Sequence, residues 1–63
     1  MNYIRVTEEN DEKLGNIIYI QNTLEDSFTA YLKLNERFVV RESTKDKAYK
    51  ELKRIIKRFR EVD

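Results

Sequence analysis

The sequence predicts one small α+β domain: an antiparallel three- or four-stranded β-meander with one C-terminal amphipathic helix packed on one face. Three observations carry that expectation. Before residue 44, short runs rich in β-branched and aromatic residues recur between polar turn residues; after it, apolar side chains recur at helical spacing; and charge is divided between the two parts. Residues 44–63 hold eight basic side chains against four acidic ones, a net +4, whereas residues 1–43 hold five against eight, a net −3. The formal net charge of +1 therefore conceals a dipole, through which the molecule can offer a cationic surface to one partner and an anionic surface to another.

Taken in order, Tyr3-Ile4-Arg5-Val6 alternates weakly and is expected to form at most a short edge strand. Thr7 to Asn16, polar, acidic and closed by Gly15-Asn16, reads as a loop. Three better strands follow at Asn16 to Asn22, Phe28 to Leu34 and Phe38 to Glu42. Their register is chosen so that one face is uniformly apolar, because a one-residue slip turns that face to water. Pairing Ile20 with Ala30 and Ile18 with Leu32 across the loop Thr23 to Ser27, then Leu34 with Phe38 and Leu32 with Val40 across Asn35-Glu36-Arg37, achieves this. It gathers Ile18, Ile20, Phe28, Ala30, Leu32, Leu34, Phe38 and Val40 on a core face.

Residues 44–63 supply the cover. Ala48, Leu52, Ile55, Ile56, Phe59 and Val62 make a helical stripe, and Ser43-Thr44-Lys45-Asp46 suits a capping box in which the Ser43 hydroxyl accepts from the backbone N–H of Asp46. The small Ala30 lies mid-face, where it lets the helix axis approach closely. With no internal repeat, no Pro and one Gly, nothing separates sub-domains, and residues 1–63 are expected to form a single unit.

Composition narrows the function classes. A domain of this length buries only about 60% of the surface of its unfolded chain. Lacking Cys and His, it has neither a disulfide nor the usual ligands of a structural zinc site, so a homodimer is a natural source of further burial. The same absences remove the side chain that titrates near neutrality and the readiest nucleophile, leaving Ser27 and Ser43 without a histidine base. An enzyme is not expected, and no metal or cofactor either. The start has no basic segment followed by a long apolar one, and the longest apolar run, Ile17 to Ile20, is far short of the ~20 residues of a membrane span. A soluble, cytoplasmic domain without membrane contact is the expectation.

Two surfaces are candidates for function. On the outer face of the helix, Lys50, Lys53, Arg54, Lys57 and Arg60 fall opposite the core stripe; such a row can neutralise phosphates of a nucleic acid, or simply solvate the helix through pairs such as Asp46 with Lys50 and Lys57 with Glu61. On the outer face of the sheet, the expected register sets Tyr19, Tyr31 and Arg41 in one row and Ile17, Lys33 and Val39 in the next. That mixture suits a protein partner or the stacking of unpaired bases, unless Tyr3 to Val6 or the loop carrying Leu14 folds over it. The acidic segments Glu8 to Glu12 and Glu25-Asp26 lack the alternating ligands and central Gly of a calcium loop, and read as solvated surface or as bait for a basic cleft.

The order of strands then helix, with Glu42-Ser43-Thr44-Lys45-Asp46-Lys47-Ala48 entering the helix, resembles the second half of a double-stranded-RNA-binding domain. In outline the chain is also similar to HicB-type antitoxin domains, which pack a helix on a small sheet and block a toxin. A minimal Lys/Asn/Glu/Ile-rich domain further looks like bacteriophage and mobile-element products that inhibit host enzymes by occlusion. These likenesses lie at the level of fold and style, which do not fix function. The expectation is a non-enzymatic protein that docks onto a larger macromolecule, foremost a protein, as a small inhibitor or regulator. The alternative is a nucleic-acid-binding protein using the helix or the Tyr/Arg sheet face.

Overall fold

A computed structural model describes residues 3–61, apart from the side chain of Glu61; Val62, assigned above to the helical stripe, lies outside the described residues. Four strands, β1 (Ile4–Asp11), β2 (Gly15–Asn22), β3 (Ser27–Leu32) and β4 (Asn35–Glu42), precede a helix, α1 (Lys45–Glu61). They form one antiparallel sheet in the order β1-β2-β3-β4, with α1 on one face. The α+β meander read from the sequence is the fold, in its four-stranded form.

The first departure is β1. It does not stop at Val6: the supposed loop from Thr7 is strand as far as Asp11, paired with β2 from Ile4↔Asn22 to Asp11↔Gly15. Its acidic residues are poor strand formers, but an edge strand needs only one partner, and charges on an edge discourage further pairing. Asp11 then closes a short turn, its Oδ1 accepting the backbone N–H groups of Lys13 at 2.8 Å and Leu14 at 2.9 Å. Gly15 follows at φ 85°, a backbone conformation that glycine adopts without a Cβ penalty. Asn22 repeats the device, accepting from Leu24 at 3.0 Å and Glu25 at 3.1 Å. Asp26 ends that turn at φ 51°, a region Asp tolerates better than most residues.

The second departure is register. β2 and β3 pair Ile17↔Leu32, Ile18↔Tyr31, Tyr19↔Ala30 and Ile20↔Thr29, one residue away from the expected alignment. β2 is therefore turned over, with Ile17 and Tyr19 beneath the helix and Ile18 and Ile20 on the opposite face. β3 and β4 pair Ala30↔Val40 and Tyr31↔Val39, then the partner of Leu32 jumps to Asn35. That shift of two from the expected pairing keeps Phe38 and Val40 on the helix side. It puts the reversal at Lys33-Leu34 and not at Asn35-Glu36-Arg37, and Leu34, assigned above to the core, is 94% exposed.

Thr44 starts the helix. Its Oγ1 accepts the backbone N–H of Lys47 at 3.1 Å, which makes it the N-cap and replaces the Ser43–Asp46 box expected from sequence. Ala48, Leu52 and Ile56 are then buried on Ile17, Tyr19, Ala30 and Val40, with Leu14, Phe28, Leu32, Phe38, Tyr49 and Ile55 around them. Ala30 and Ala48 are both fully buried, so the helix approaches the sheet over two methyl groups. Phe59, assigned to the stripe, is 57% exposed and meets the Phe38 ring edge to face, at 5.2 Å between centroids. The helix lies across β3 and β4, which leaves the helix-side surface of β1 open along a cleft.

Candidate functional site

The face of the sheet away from α1 is assembled by the registers themselves. Residues that pair across an antiparallel ladder share a face, so Val6, Ile20, Thr29 and Arg41 form one cross-strand row and Glu8, Ile18, Tyr31 and Val39 the next, with Ile4 beside Asn22 at one end. No element among the described residues covers it. Val6 is 61% and Val39 52% exposed. Ile18, between its cross-strand neighbours Glu8 and Tyr31, is only 9% exposed.

Charge frames this apolar centre. Lys33 reaches Glu8 at 3.3 Å, and Glu8 accepts from the Asn16 side chain at 2.6 Å. Asn10 donates to Asn16 at 2.6 Å, and Arg41 pairs with Glu25 beyond the other end. These ion pairs are well exposed and contribute little to stability, but they set a polar rim around Ile18, Ile20, Val6 and Val39.

Of the residues expected on this face, Tyr31, Lys33, Val39 and Arg41 are there. Ile17 and Tyr19 are not: they are 1% and 3% exposed in the core. Ile4, Val6, Ile18 and Ile20 take their place. The alternation of Ile4 and Val6 within Ile4–Asp11 is the sequence signal for the first two.

On the other side, the uncovered part of β1 and the start of α1 bound a cleft of about 460 Å³ lined by Glu9, Asp11, Ile17, Tyr19, Lys45 and Tyr49, among others. The Tyr49 hydroxyl donates to Asp11 Oδ2 at 2.6 Å. That bond, with the two backbone N–H groups of the turn, holds the Asp11 carboxyl below the usual aspartate range, and it raises the Tyr49 phenol. Burial raises the Tyr19 phenol. The Lys45 ammonium lies 4.9 Å from the centre of the Tyr19 ring and pairs with Glu9. Asp46, at the cleft's margin, pairs with Lys50 at 3.1 Å. Each charged group named here has a hydrogen-bond or ion-pair partner, so the cleft reads as a brace tying β1 to the helix. Among the described residues, no group of three or more His, Cys, Asp or Glu side chains could hold a metal ion.

The expected cationic row on the helix is divided by its partners. Lys50 pairs with Asp46, and Arg54 with Glu51 through Nε at 3.1 Å and Nη2. Lys53, Lys57 and Arg60 instead converge on a second cleft of about 470 Å³, where Lys13 from the β1–β2 turn joins them over Leu14 and Ile56. Lys13 could not be assigned to this group from sequence, because only the fold brings it to the helix. Among the described residues no helix is long and apolar enough to cross a membrane. Compared with protein-family models, with curated proteins and with solved structures, the chain matches none.

Proposed function

We propose that the chain is a non-enzymatic binding domain that docks onto a larger protein through the open face of its sheet, acting as a small inhibitor or regulator by occlusion. The observation that carries this reading is the apolar centre of that face, where Val6 and Val39 are exposed and Ile20 and Tyr31 half-buried around Ile18, with no element among the described residues over it. Exposed apolar surface of this kind, rimmed by polar groups, marks interaction sites. An apolar or aromatic centre within a charged rim is also the usual anatomy of a protein interface. The partner's surface is correspondingly apolar at its centre, with charges placed to meet Glu8, Lys33 and Arg41.

The non-enzymatic part rests on chemistry. The chain has no His or Cys, and the charged groups of the cleft between β1 and the start of the helix are engaged by hydrogen bonds and ion pairs. A photo-crosslinking residue placed at Val39 in cells, compared with one at Arg58 on the helix, tests the reading. Val39 is expected to capture one specific protein that Arg58 does not. With that protein purified, Val6→Lys combined with Val39→Lys is expected to weaken binding at least ~10-fold, the effect of losing about 1.4 kcal/mol. Capture from Arg58 alone, or unchanged affinity in the double variant, overturns it.

A further inference from the structure

We propose that the cleft between the β1–β2 turn and the C-terminal half of α1 is an anion site for the phosphodiester backbone of a nucleic acid. It is separate from the sheet face and independent of the reading given for it. Lys13, Lys53, Lys57 and Arg60 line it, and no carboxylate does among the described residues.

The contrast with the rest of the helix is the main support. Lys45, Lys50 and Arg54 each have a carboxylate partner in the fold, so a ligand anion there must displace one. In the cleft the four cations face a common space of about 470 Å³. Lys53 has the face of Tyr49 beside it, its Nζ 5.9 Å from the ring centre; the Asp11 carboxylate acts on it through space without an ion pair between them. Concentrating like charge in one depression is unfavourable in the free protein, and an anion relieves it.

Geometry selects the kind of anion. Lys53, Lys57 and Arg60 follow one another along the helix at intervals of four and three residues, about 6 Å and 4.5 Å of axial rise. This makes a track rather than a point, and a repeating polyanion can engage the whole track. The floor is apolar: Ile56 is 4% exposed and Leu14 is half-buried, a surface against which sugars and base faces can lie while the rim binds phosphates. The affinity of such a contact comes largely from counterion release, in proportion to the phosphates neutralised.

The test pairs two double charge reversals that change net charge equally. Lys13→Glu with Lys57→Glu removes two cations of the cleft, and Lys50→Glu with Arg54→Glu removes two that are already paired. All four positions are exposed, and thermal midpoints close to the parent's confirm that each variant folds. Binding of the full chain to a fluorescent DNA duplex and to a single strand is followed by anisotropy in rising salt. With three to four phosphates engaged, the parent is expected to lose about 40- to 150-fold in duplex affinity between 50 and 200 mM salt. At low salt the cleft variant should bind at least ten-fold more weakly than the helix variant. Equal losses in the two variants, or no parent binding to either DNA at 50 mM salt, overturn the proposal. So does competition by poly-glutamate as effective as that of an oligonucleotide of equal charge, which would assign the cleft to acidic proteins.

Discussion

Leu52→Ala separates the observed packing from the simpler expectation that every residue of the helical stripe bears equally on the fold. Leu52 is fully buried, and with Ile17 it is the largest side chain so enclosed. Truncating a buried leucine costs about 2–5 kcal/mol, and more where neighbours cannot close the gap. The neighbours include Ala30 and Ala48, each fully buried, whose methyl groups cannot reach into the space, so about 3 kcal/mol or more is expected. A domain of this length has roughly 3–9 kcal/mol of stability in all, and for domains of about this size 1 kcal/mol moves the thermal midpoint by about 4–8 °C. The midpoint should thus fall by about 12–24 °C, read by circular dichroism and checked by urea titration. Phe59→Ala is the control: the ring is 57% exposed and loses mainly its edge contact with Phe38, about 0.5–1.5 kcal/mol. Equal shifts in the two variants, or a Leu52→Ala midpoint within a few degrees of the parent, refute this placement of the helix.

Four further outcomes follow from named contacts. Thr44→Ala should cost about 1 kcal/mol by removing the cap on Lys47, whereas Ser43→Ala should be near neutral in the same denaturation assay. Gly15→Ala should cost about 1–2 kcal/mol: a Cβ there meets nothing within 4 Å, so the positive φ alone is responsible, and an unchanged urea midpoint would contradict that φ. Tyr19→Lys, which buries a charge beneath the helix, should prevent folding, while Val39→Lys on the open face should leave the midpoint nearly unchanged. Because the Asp11 carboxyl is lowered in the fold, its stabilising contribution is present above the ordinary aspartate range and lost as pH falls through its lower folded value; Tyr49→Phe should raise the Asp11 pKa seen by NMR, and no change would refute the bond.

The helix was the most legible part of the chain, because Ala48, Leu52 and Ile56 keep a helical period that no strand can use, and a capping residue stands just before it. The β2 register was not. In Ile17-Ile18-Tyr19-Ile20 every position is apolar or aromatic, so alternation cannot choose a face, and setting Ile18 and Ile20 beside Leu32 and Ala30 made the more uniformly apolar one. Tyr19 nevertheless suits the core, since the helix does not reach over β1 and the ring is packed along the cleft beside Lys45 and Tyr49. Strand β1 was obscured by charge: Glu8 and Glu9 look like loop until Asn16, Lys33 and Lys45 are beside them. Ile18 and Ile20 were therefore hidden behind one misplaced register, Ile4 and Val6 behind the unrecognised length of β1, and the cation cleft behind a contact between residues far apart in sequence.

The proposed docking face requires β2 to be oriented as described, and a NOESY spectrum of the free protein tests that directly. Cross-peaks are expected from the Tyr19 ring to the Lys45 side chain and from Ile18 methyl groups to the Tyr31 ring. Cross-peaks from Ile18 or Ile20 methyl groups to Leu52, with the Tyr19 ring instead beside Tyr31, would contradict it.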